Sequence, residues 1–226
     1  MNLSNPLNSH ERLWGAVYLL LEIFVLPYAV ALLNLCLQLP NWAVNFLCFC
    51  LNFGAVLIIF HKFLLGNLKT ALADPVRTLG WAAAGMALYY ALSFAVGIVI
   101  TVVGPDYVNL NDDNIQTMSS ANFAAMAIGT VLLVPVAEEC LFRGVLFRGL
   151  FDRSPLLAYG VSAVLFSLVH IISYIGFYSP IMFLLAFIQY LPAGISLAFA
   201  YHRSDTIAAP VLMHTVINLI GISAMR

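Results

Sequence analysis

Long apolar runs are the feature that most restricts the fold of this chain. Each run is close to the roughly twenty residues that a bilayer-spanning helix needs, and only 8% of the 226 residues are charged. A soluble domain carries about a quarter charged residues, so this chain could not cover a surface that faces water. Transmembrane strands would alternate polar and apolar residues in segments of about ten. The sequence therefore predicts an all-α fold, a polytopic transmembrane helical bundle.

About seven spans can be placed along the chain at the length that a bilayer requires. The longest polar interruption, residues 104–122, predicts a loop between three N-terminal and four C-terminal spans. A shorter loop around Lys69, Asp74 and Arg77 is predicted between the second and third spans. The predicted spans are Leu13–Leu39, Trp42–Leu65, Leu79–Val103, a fourth starting near Phe123, Leu156–Ile175, Ile181–Tyr201 and Ile207–Ala224.

Lysine and arginine concentrate at alternate ends of the predicted spans. These residues are Arg12, Lys62, Lys69, Arg77, Arg143, Arg148, Arg153 and Arg203. They fall on one side of the membrane, and cytoplasmic ends of spans are enriched in Lys and Arg. The sequence therefore predicts a cytoplasmic N-terminus, with the acidic loop that holds Asp106, Asp112 and Asp113 on the other side. The sequence contains no block of basic residues that would indicate nucleic-acid binding.

Three charged residues lie close together in the fourth span. Glu139 and Arg143 are four apart on one helix face and can neutralise each other. Glu138 is rotated from Glu139 by about 100°, so the arginine cannot serve both carboxylates equally. The charges could simply mark the cytoplasmic end of the span. However, a helix from Asn122 to Asp152 would place Glu138 near its middle, where an ionisable group indicates a functional site.

Two later spans also carry polar pairs with helical spacing. Phe166 and His170 share a face of the fifth span, and His214 and Asn218 share a face of the seventh. Either histidine alone could be a helix-to-helix hydrogen bond, which contributes about 0.6 kcal/mol on average. Together with Glu138, these groups need a shared polar cavity because none is tolerated facing lipid. A carboxylate, two imidazoles and an amide can activate water.

These three motifs, in this order, resemble the CPBP family of intramembrane proteases. The family includes the type II (Rce1-like) CAAX prenyl endopeptidases and bacterial proteins of the Abi group linked to bacteriocin processing and self-immunity. The resemblance rests on Glu-Glu-x-x-x-Arg at 138–143, Phe-x-x-x-His at 166–170 and His-x-x-x-Asn at 214–218. It implies a catalytic core over residues 121–226, whereas the transmembrane helices of residues 1–120 carry no recognised motif.

The resemblance implies specific roles for the motif residues. Glu138 and His170 would activate the attacking water, while His214 and Asn218 would stabilise the developing oxyanion. The remaining motif residues, Glu139, Arg143 and Phe166, would not contact the substrate. They would hold the catalytic side chains in position. The family's cavity is usually open toward the cytoplasm, and its substrates are peptides or proteins, of which prenylated C-termini are the best known.

Cofactors and alternative functions remain open at this point. Glu138, His170 and His214 could bind zinc with a fourth position for water, but no His-Glu-x-x-His is present, which favours a metal-free mechanism.

The alternatives to proteolysis are a non-catalytic binding or bacteriocin-immunity protein and a proton carrier. Expected partners are membrane lipid and a peptide or protein substrate, which could be lipidated. The chain's short length and lack of a soluble domain predict a bacterial cell membrane protein, and the sequence does not indicate an oligomeric state.

Overall fold

The computed structural model describes residues 6–225, which contain nine helices and no strand. Of the predicted N-terminal region, residues 1–5 lie outside this described range. The helices are α1 (Ser9–Phe24), α2 (Leu26–Leu37), α3 (Asn41–Ala73), α4 (Pro75–Val103), α5 (Leu110–Ala121), α6 (Phe123–Phe151), α7 (Pro155–Ile171), α8 (Pro180–Ser204) and α9 (Ala208–Ala224). The predicted all-α bundle is confirmed.

Five of the described helices, α3, α4, α6, α7 and α8, are long and apolar enough to cross a membrane. Helices α1 and α2 meet the same criterion only as a pair, with a bend of 51° between them. The bend lies next to Pro27, whose ring and missing N–H interrupt a helix. Helix α9 is apolar but has only 17 residues. The structure therefore supports five or six spans by length, and seven stays a prediction.

Two segments predicted as loops are helical. Within residues 104–122, Asn109 accepts hydrogen bonds from the N–H groups of Asn111 and Asp112 and starts α5. Asn is a preferred N-cap residue, and acidic residues in the first turn suit the helix dipole. The loop predicted around Lys69 is also wrong, because α3 continues to Ala73 and a single residue, Asp74, connects it to α4.

Helix α6 is the central helix of the bundle. In its most apolar stretch 56% of the residues are buried, whereas the corresponding stretch of α4 has 0%. Two segments of α6, Gly129–Leu133 and Cys140–Phe147, have π-helical hydrogen bonding. Such wider turns are rare and frequently occur at functional sites. The continuous helix from Phe123 to Phe151 places Glu138 near its middle.

Hydrogen bonds between helices define one end of the bundle, here called the basic end. The backbone N–H of Phe63 donates to Glu11 Oε1 (2.8 Å), which joins the start of α1 to the second half of α3. Arg77 Nη2 donates to the carbonyl of Arg203 (3.3 Å), which joins the start of α4 to the end of α8. The basic end carries Arg12, Lys62, Lys69, Arg77, Arg148, Arg153 and Arg203.

The opposite end is covered by α5 and is called the α5 end. Asn45, near the start of α3, donates to Met118 Sδ of α5 (3.2 Å). Asn114 of α5 donates to the hydroxyl of Tyr174, which follows α7 (2.8 Å). The α5 end carries the acidic residues Asp106, Asp112 and Asp113.

Candidate active site

Glu139 and Arg143 form the ion pair that their spacing predicts. Arg143 Nη1 donates to Glu139 Oε1 at 3.0 Å, and both side chains are completely buried. Arg143 Nη2 also donates to the carbonyl of Gly194 on α8 (3.2 Å), and its guanidinium lies 4.6 Å from the centre of the Phe166 ring. Further hydrogen bonds and contacts stabilise a buried ion pair, although Glu139 Oε2 and Arg143 Nε find no hydrogen-bond partner among the described residues. Arg143 therefore joins α6, α7 and α8.

Gly194 makes this three-helix contact possible. A Cβ at Gly194 would lie 2.8 Å from Ala163 Cα of α7, a contact that no side chain could make without moving the backbone. The glycine lets α7 and α8 approach closely enough for the Gly194 carbonyl to accept from Arg143.

Glu139 also forms a hydrogen bond with His214. The sequence did not predict this contact. His214 Nδ1 lies 2.9 Å from Glu139 Oε1, the same oxygen that accepts from Arg143. Because the carboxylate paired with arginine can only accept, Nδ1 of His214 carries the hydrogen, and its Nε2 lone pair faces the other way. The pair on α6 thereby fixes the orientation of a histidine on α9.

Glu138 lies on a different face of α6 and takes no part in that ion pair. Its Oε2 is 4.0 Å from His170 Nε2 and 3.9 Å from His214 Nε2. Within the described part of the chain, this oxygen has no hydrogen-bond partner. The predicted separation of the two carboxylates into a paired one and a free one is therefore what the structure shows.

His170 is held by its own helix and by a tyrosine. Its Nδ1 lies 2.7 Å from the carbonyl oxygen of Phe166. A carbonyl only accepts, so Nδ1 carries the hydrogen and Nε2 presents a lone pair toward Glu138. The ring stacks on Tyr190 of α8, with centroids 4.5 Å apart and planes 28° apart. The sequence gave no reason to select Tyr190 among ten tyrosines, because the contact joins helices far apart in the chain.

Asn218 is positioned by the first π-helical turn of α6. In that turn the N–H of Val134 donates to Gly129, not to Thr130 as it would in an α-helix. The next residue, Pro135, has no N–H to offer. The Thr130 carbonyl is therefore left for Asn218, whose Nδ2 donates to it at 2.7 Å. An amide nitrogen has two hydrogens, so the second N–H of Asn218 remains for another acceptor.

A cavity of about 1340 Å³ connects these groups. Its walls include Glu138, His170, His214 and Asn218, so the structure brings all four predicted catalytic residues to one space. Of the three predicted supporting residues, Phe166 reaches the cavity wall, whereas Glu139 and Arg143 lie behind it. The catalytic roles of these residues stay predictions.

The same residues bear on the zinc alternative. Ligand atoms about 2.0–2.1 Å from a tetrahedral zinc lie about 3.3–3.4 Å apart. The separations from Glu138 Oε2 to the two imidazole nitrogens are 3.9 and 4.0 Å. Among residues 6–225, no three His, Cys, Asp or Glu side chains are grouped so that they could hold a metal ion. The two separations are wider than those of a tetrahedral zinc site, and the absence of a metal requirement stays a prediction.

Glu22, in the first span, has no local partner in the sequence but finds one in the fold. Asn52 Nδ2 of α3 donates to Glu22 Oε1 at 3.3 Å, which joins α1 to α3.

Comparison with known proteins shows which proteins this chain is similar to. Residues 120–220 match the family described as type II CAAX prenyl endopeptidase Rce1-like. The chain is also 32% identical over 99 residues to the UPF0177 protein YbdJ of Lactococcus lactis subsp. lactis (strain IL1403). That alignment covers 44% of this chain and 38% of the relative. No solved structure matches the chain.

The matched region extends from the start of α6 into α9 and contains every residue of the three motifs. Together with the apolar helices, this match identifies an integral membrane protein. Over residues 120–220 the chain is similar to the Rce1-like family of type II CAAX prenyl endopeptidases.

Proposed function

We propose that this chain is an intramembrane endopeptidase that hydrolyses a peptide bond in the cavity with water activated by Glu138 and His170. One observation carries the proposal: the free oxygen of Glu138 lies between the Nε2 atoms of two histidines, each held by a hydrogen bond at Nδ1. A family match to proteases supports the same reaction class. The substrate is a peptide or a protein, with or without a lipid, and the membrane is that of a bacterial cell.

The three converging atoms suit a water molecule. Glu138 Oε2 and both Nε2 atoms are acceptors, so the group that best joins them is a donor of two hydrogens. A water about 2.8 Å from Oε2 and from either Nε2 is compatible with the observed separations of 3.9 and 4.0 Å. Its remaining lone pair can then attack a carbonyl carbon in the cavity.

The reaction proceeds by ordinary addition and elimination. Glu138 takes a proton from the water as its oxygen bonds to the carbonyl carbon, which gives a tetrahedral oxyanion. Collapse of this intermediate breaks the C–N bond, and the proton held by Glu138 passes to the departing nitrogen. His170 orients the water, because its own orientation is fixed by Phe166 and Tyr190.

The oxyanion is stabilised by Asn218 and His214. The second N–H of Asn218 is not used by Thr130 and can donate to it. His214 donates from Nε2 in the form that carries a hydrogen on both ring nitrogens, the second proton being taken up from solvent before the water attacks, and Glu139 accepts the hydrogen bond of its Nδ1. Arg143 holds Glu139 in place through its hydrogen bond, so the buried pair supports the reaction without touching the substrate.

The proposal is tested by comparing peptide termini in membranes and medium of cells that produce either the original chain or Glu138→Gln. The matched control is Asp106→Asn, the same carboxylate-to-amide change at an exposed residue outside the cavity. New termini that appear with the original chain and Asp106→Asn, and vanish with Glu138→Gln at equal abundance, are expected. Identical termini in all three cultures would contradict proteolysis and favour a binding function for the cavity.

A further inference from the structure

We infer that Tyr190 is a positioning residue that makes the orientation of His170 depend on the position of α5 over the cavity. Its ring contacts the proposed water-activating histidine, and its hydroxyl binds the helix that covers the cavity. The catalytic consequence rests on the proposed function. The link between α5 and His170 does not, and it can be measured without proteolysis.

Helix α5 is attached to the bundle mainly by polar contacts. Of its 12 residues only Ser119 is buried. Other residues of α5, including Asp112, Ile115 and Met118, line the cavity. A segment that buries little apolar surface can separate from its neighbours at a small cost in free energy. Helix α5 therefore has the attachment expected of a lid.

The two ends of α5 are attached in different ways. At its C-terminal end a single residue, Asn122, joins it to α6, and the backbone of that residue is not helical (φ −154°, ψ 86°). In its N-terminal half, hydrogen bonds to tyrosines hold it. The N–H of Leu110 donates to the hydroxyl of Tyr178 (2.7 Å), and Asn114 donates to that of Tyr174 (2.8 Å). Residues at the ends of elements commonly act as hinges of lids, so we expect α5 to turn about Asn122.

The hydroxyl of Tyr190 is surrounded by the start of α5. It accepts hydrogen bonds from Nδ2 of Asn109 (3.0 Å) and from Nδ2 of Asn111 (3.1 Å). Its own hydrogen faces Oδ1 of Asn109 (3.3 Å) and Oδ1 of Asp112 (3.4 Å). A phenolic hydroxyl both donates and accepts, and here both capacities are used by this one segment. The position of α5 therefore determines the position of the hydroxyl.

Helices α7 and α8 form the stationary side of this contact. Gly194 lies one helical turn after Tyr190 on α8, and a Cβ at this glycine would lie 2.8 Å from Ala163 Cα of α7. The carbonyl of Gly194 also accepts from the buried Arg143 of α6. The backbones of α7 and α8 are therefore held against each other close to Tyr190. Rotation of side chains remains as the way to change the contact between Tyr190 and His170.

The stacked rings fix what a single hydrogen bond leaves free. The Phe166 carbonyl restrains Nδ1 of His170, but the imidazole ring can still tilt about that atom. Tyr190 lies against the face of the imidazole and restricts this tilt. If α5 moves away, the hydroxyl of Tyr190 loses its partners and its ring is free to turn. Nε2 of His170 is therefore held toward Glu138 only while α5 covers the cavity, so water is activated only in a closed site.

Hydrogen exchange tests the bond between Tyr190 and α5. Tyr190→Phe keeps the ring and removes only the hydroxyl, so the amides of Leu110–Ala121 should exchange at least about fivefold faster. The control is Tyr28→Phe, the same change at a tyrosine of α2 that is 72% exposed, which should leave the exchange of α5 unchanged. Asn111→Ala removes a donor from the α5 side and gives the same test if Tyr190→Phe is not produced. Unchanged exchange of α5 in these variants would overturn the inference.

Nuclear magnetic resonance tests the link from α5 to His170. In protein isotopically labelled only in histidine, the signal of His170 is the one that disappears in His170→Gln. Asn111 is linked to His170 through Tyr190, so Asn111→Ala should shift or broaden the ring signal of His170. The signal of His61, on α3, should be unchanged. A His170 signal that is identical in the original chain, Tyr190→Phe and Asn111→Ala would show that α5 does not act on this histidine.

Turnover tests the catalytic consequence. Tyr190→Phe and Asn111→Ala should lower kcat by a similar factor, about fivefold. Tyr190→Leu also removes the ring and should lower kcat about tenfold further, because a small misplacement of a catalytic group costs at least this much. Equal kcat values in Tyr190→Phe and Tyr190→Leu would overturn the role of the ring. Proteolysis that is unaffected by Glu138→Gln would instead overturn the proposed function, while exchange and resonance would still decide the link between α5 and His170.

Discussion

Glu138 and Glu139 are neighbours in sequence, yet they belong to two different regions of the molecule. Glu139 faces a sealed region in which Arg143 and His214 satisfy one of its oxygens and no atom of the pair is exposed. Glu138 faces the cavity, with an unpaired oxygen opposite two imidazole nitrogens. The rotation of about 100° per residue along a helix produces this difference. The sealed region holds groups in place, and the cavity region presents them for chemistry.

The largest effect is expected from a substitution in the cavity region. Glu138→Gln should reduce turnover of the identified substrate by about 10²- to 10⁴-fold, because a general base contributes at this scale. The amide has the same shape and leaves the Glu139–Arg143 pair intact, so the thermal midpoint in detergent should be unchanged. If Glu138→Gln lost activity only because it unfolded, Glu138 would be needed for stability, and the division into a catalytic cavity region and a stabilising sealed region would be contradicted.

Glu139→Gln tests the sealed region. The change leaves the buried charge of Arg143 uncompensated, so we expect it to destabilise the fold by about 3–5 kcal/mol. The control is Asp152→Asn, which breaks an exposed pair of the same spacing with Arg148 and should cost less than about 1 kcal/mol. Unfolding of the two variants in denaturant measures the difference. Equal stabilities would show that the buried pair does not hold the bundle.

Asn218 tests the cavity region further, because one N–H binds the Thr130 carbonyl and the other is left for the cavity. Asn218→Ala should lower kcat by about 10²-fold with little change in KM, as removal of an oxyanion donor does. Asn218→Asp keeps the size but removes both donors, and it should lose at least as much. Retained kcat in both variants would remove Asn218 from the oxyanion site.

The smallest expected effect is that of metal removal. We expect strong chelators to leave the rate of proteolysis unchanged, because Glu138 Oε2 lies 3.9 and 4.0 Å from the two imidazole nitrogens, which is wider than the separation of two ligands on a tetrahedral zinc. Turnover is compared before and after dialysis against a chelator, and again after zinc is added. Loss of activity with recovery on zinc would instead assign Glu138 and both histidines as metal ligands.

Local spacing predicted much of this site. The i, i+4 rule predicted the Glu139–Arg143 pair, and helical periodicity put Phe166 with His170 and His214 with Asn218. Helix α5 could also have been found, since Asn109 is a good N-cap and two aspartates follow it. Similarly, Pro75 directly after Asp74 is typical of a new helix starting there.

Other features depend on contacts that no local pattern encodes. The bond between His214 and Glu139 joins residues 75 apart, and the stacking of His170 on Tyr190 requires α7 and α8 to meet at one depth. The π-helical turn that frees the Thr130 carbonyl also has no sequence signature beyond Pro135. Finally, the position of the cavity along the bundle appeared only with the packed helices. These features arise from tertiary packing, which selects one arrangement among several that the sequence pattern permits.

Helix α9 has a consequence for the lipid around the protein. Its 17 residues extend about 26 Å, whereas the hydrocarbon core of a bilayer is about 30 Å thick. Helix α9 is one of the seven predicted spans, and a span that is too short draws the two leaflets together beside it. Since α9 carries His214 and Asn218, this thinning would occur next to the hydrolytic site and shorten the path for water and substrate. Activity in vesicles should therefore depend on acyl-chain length, with short-chain lipids that match α9 supporting the faster reaction.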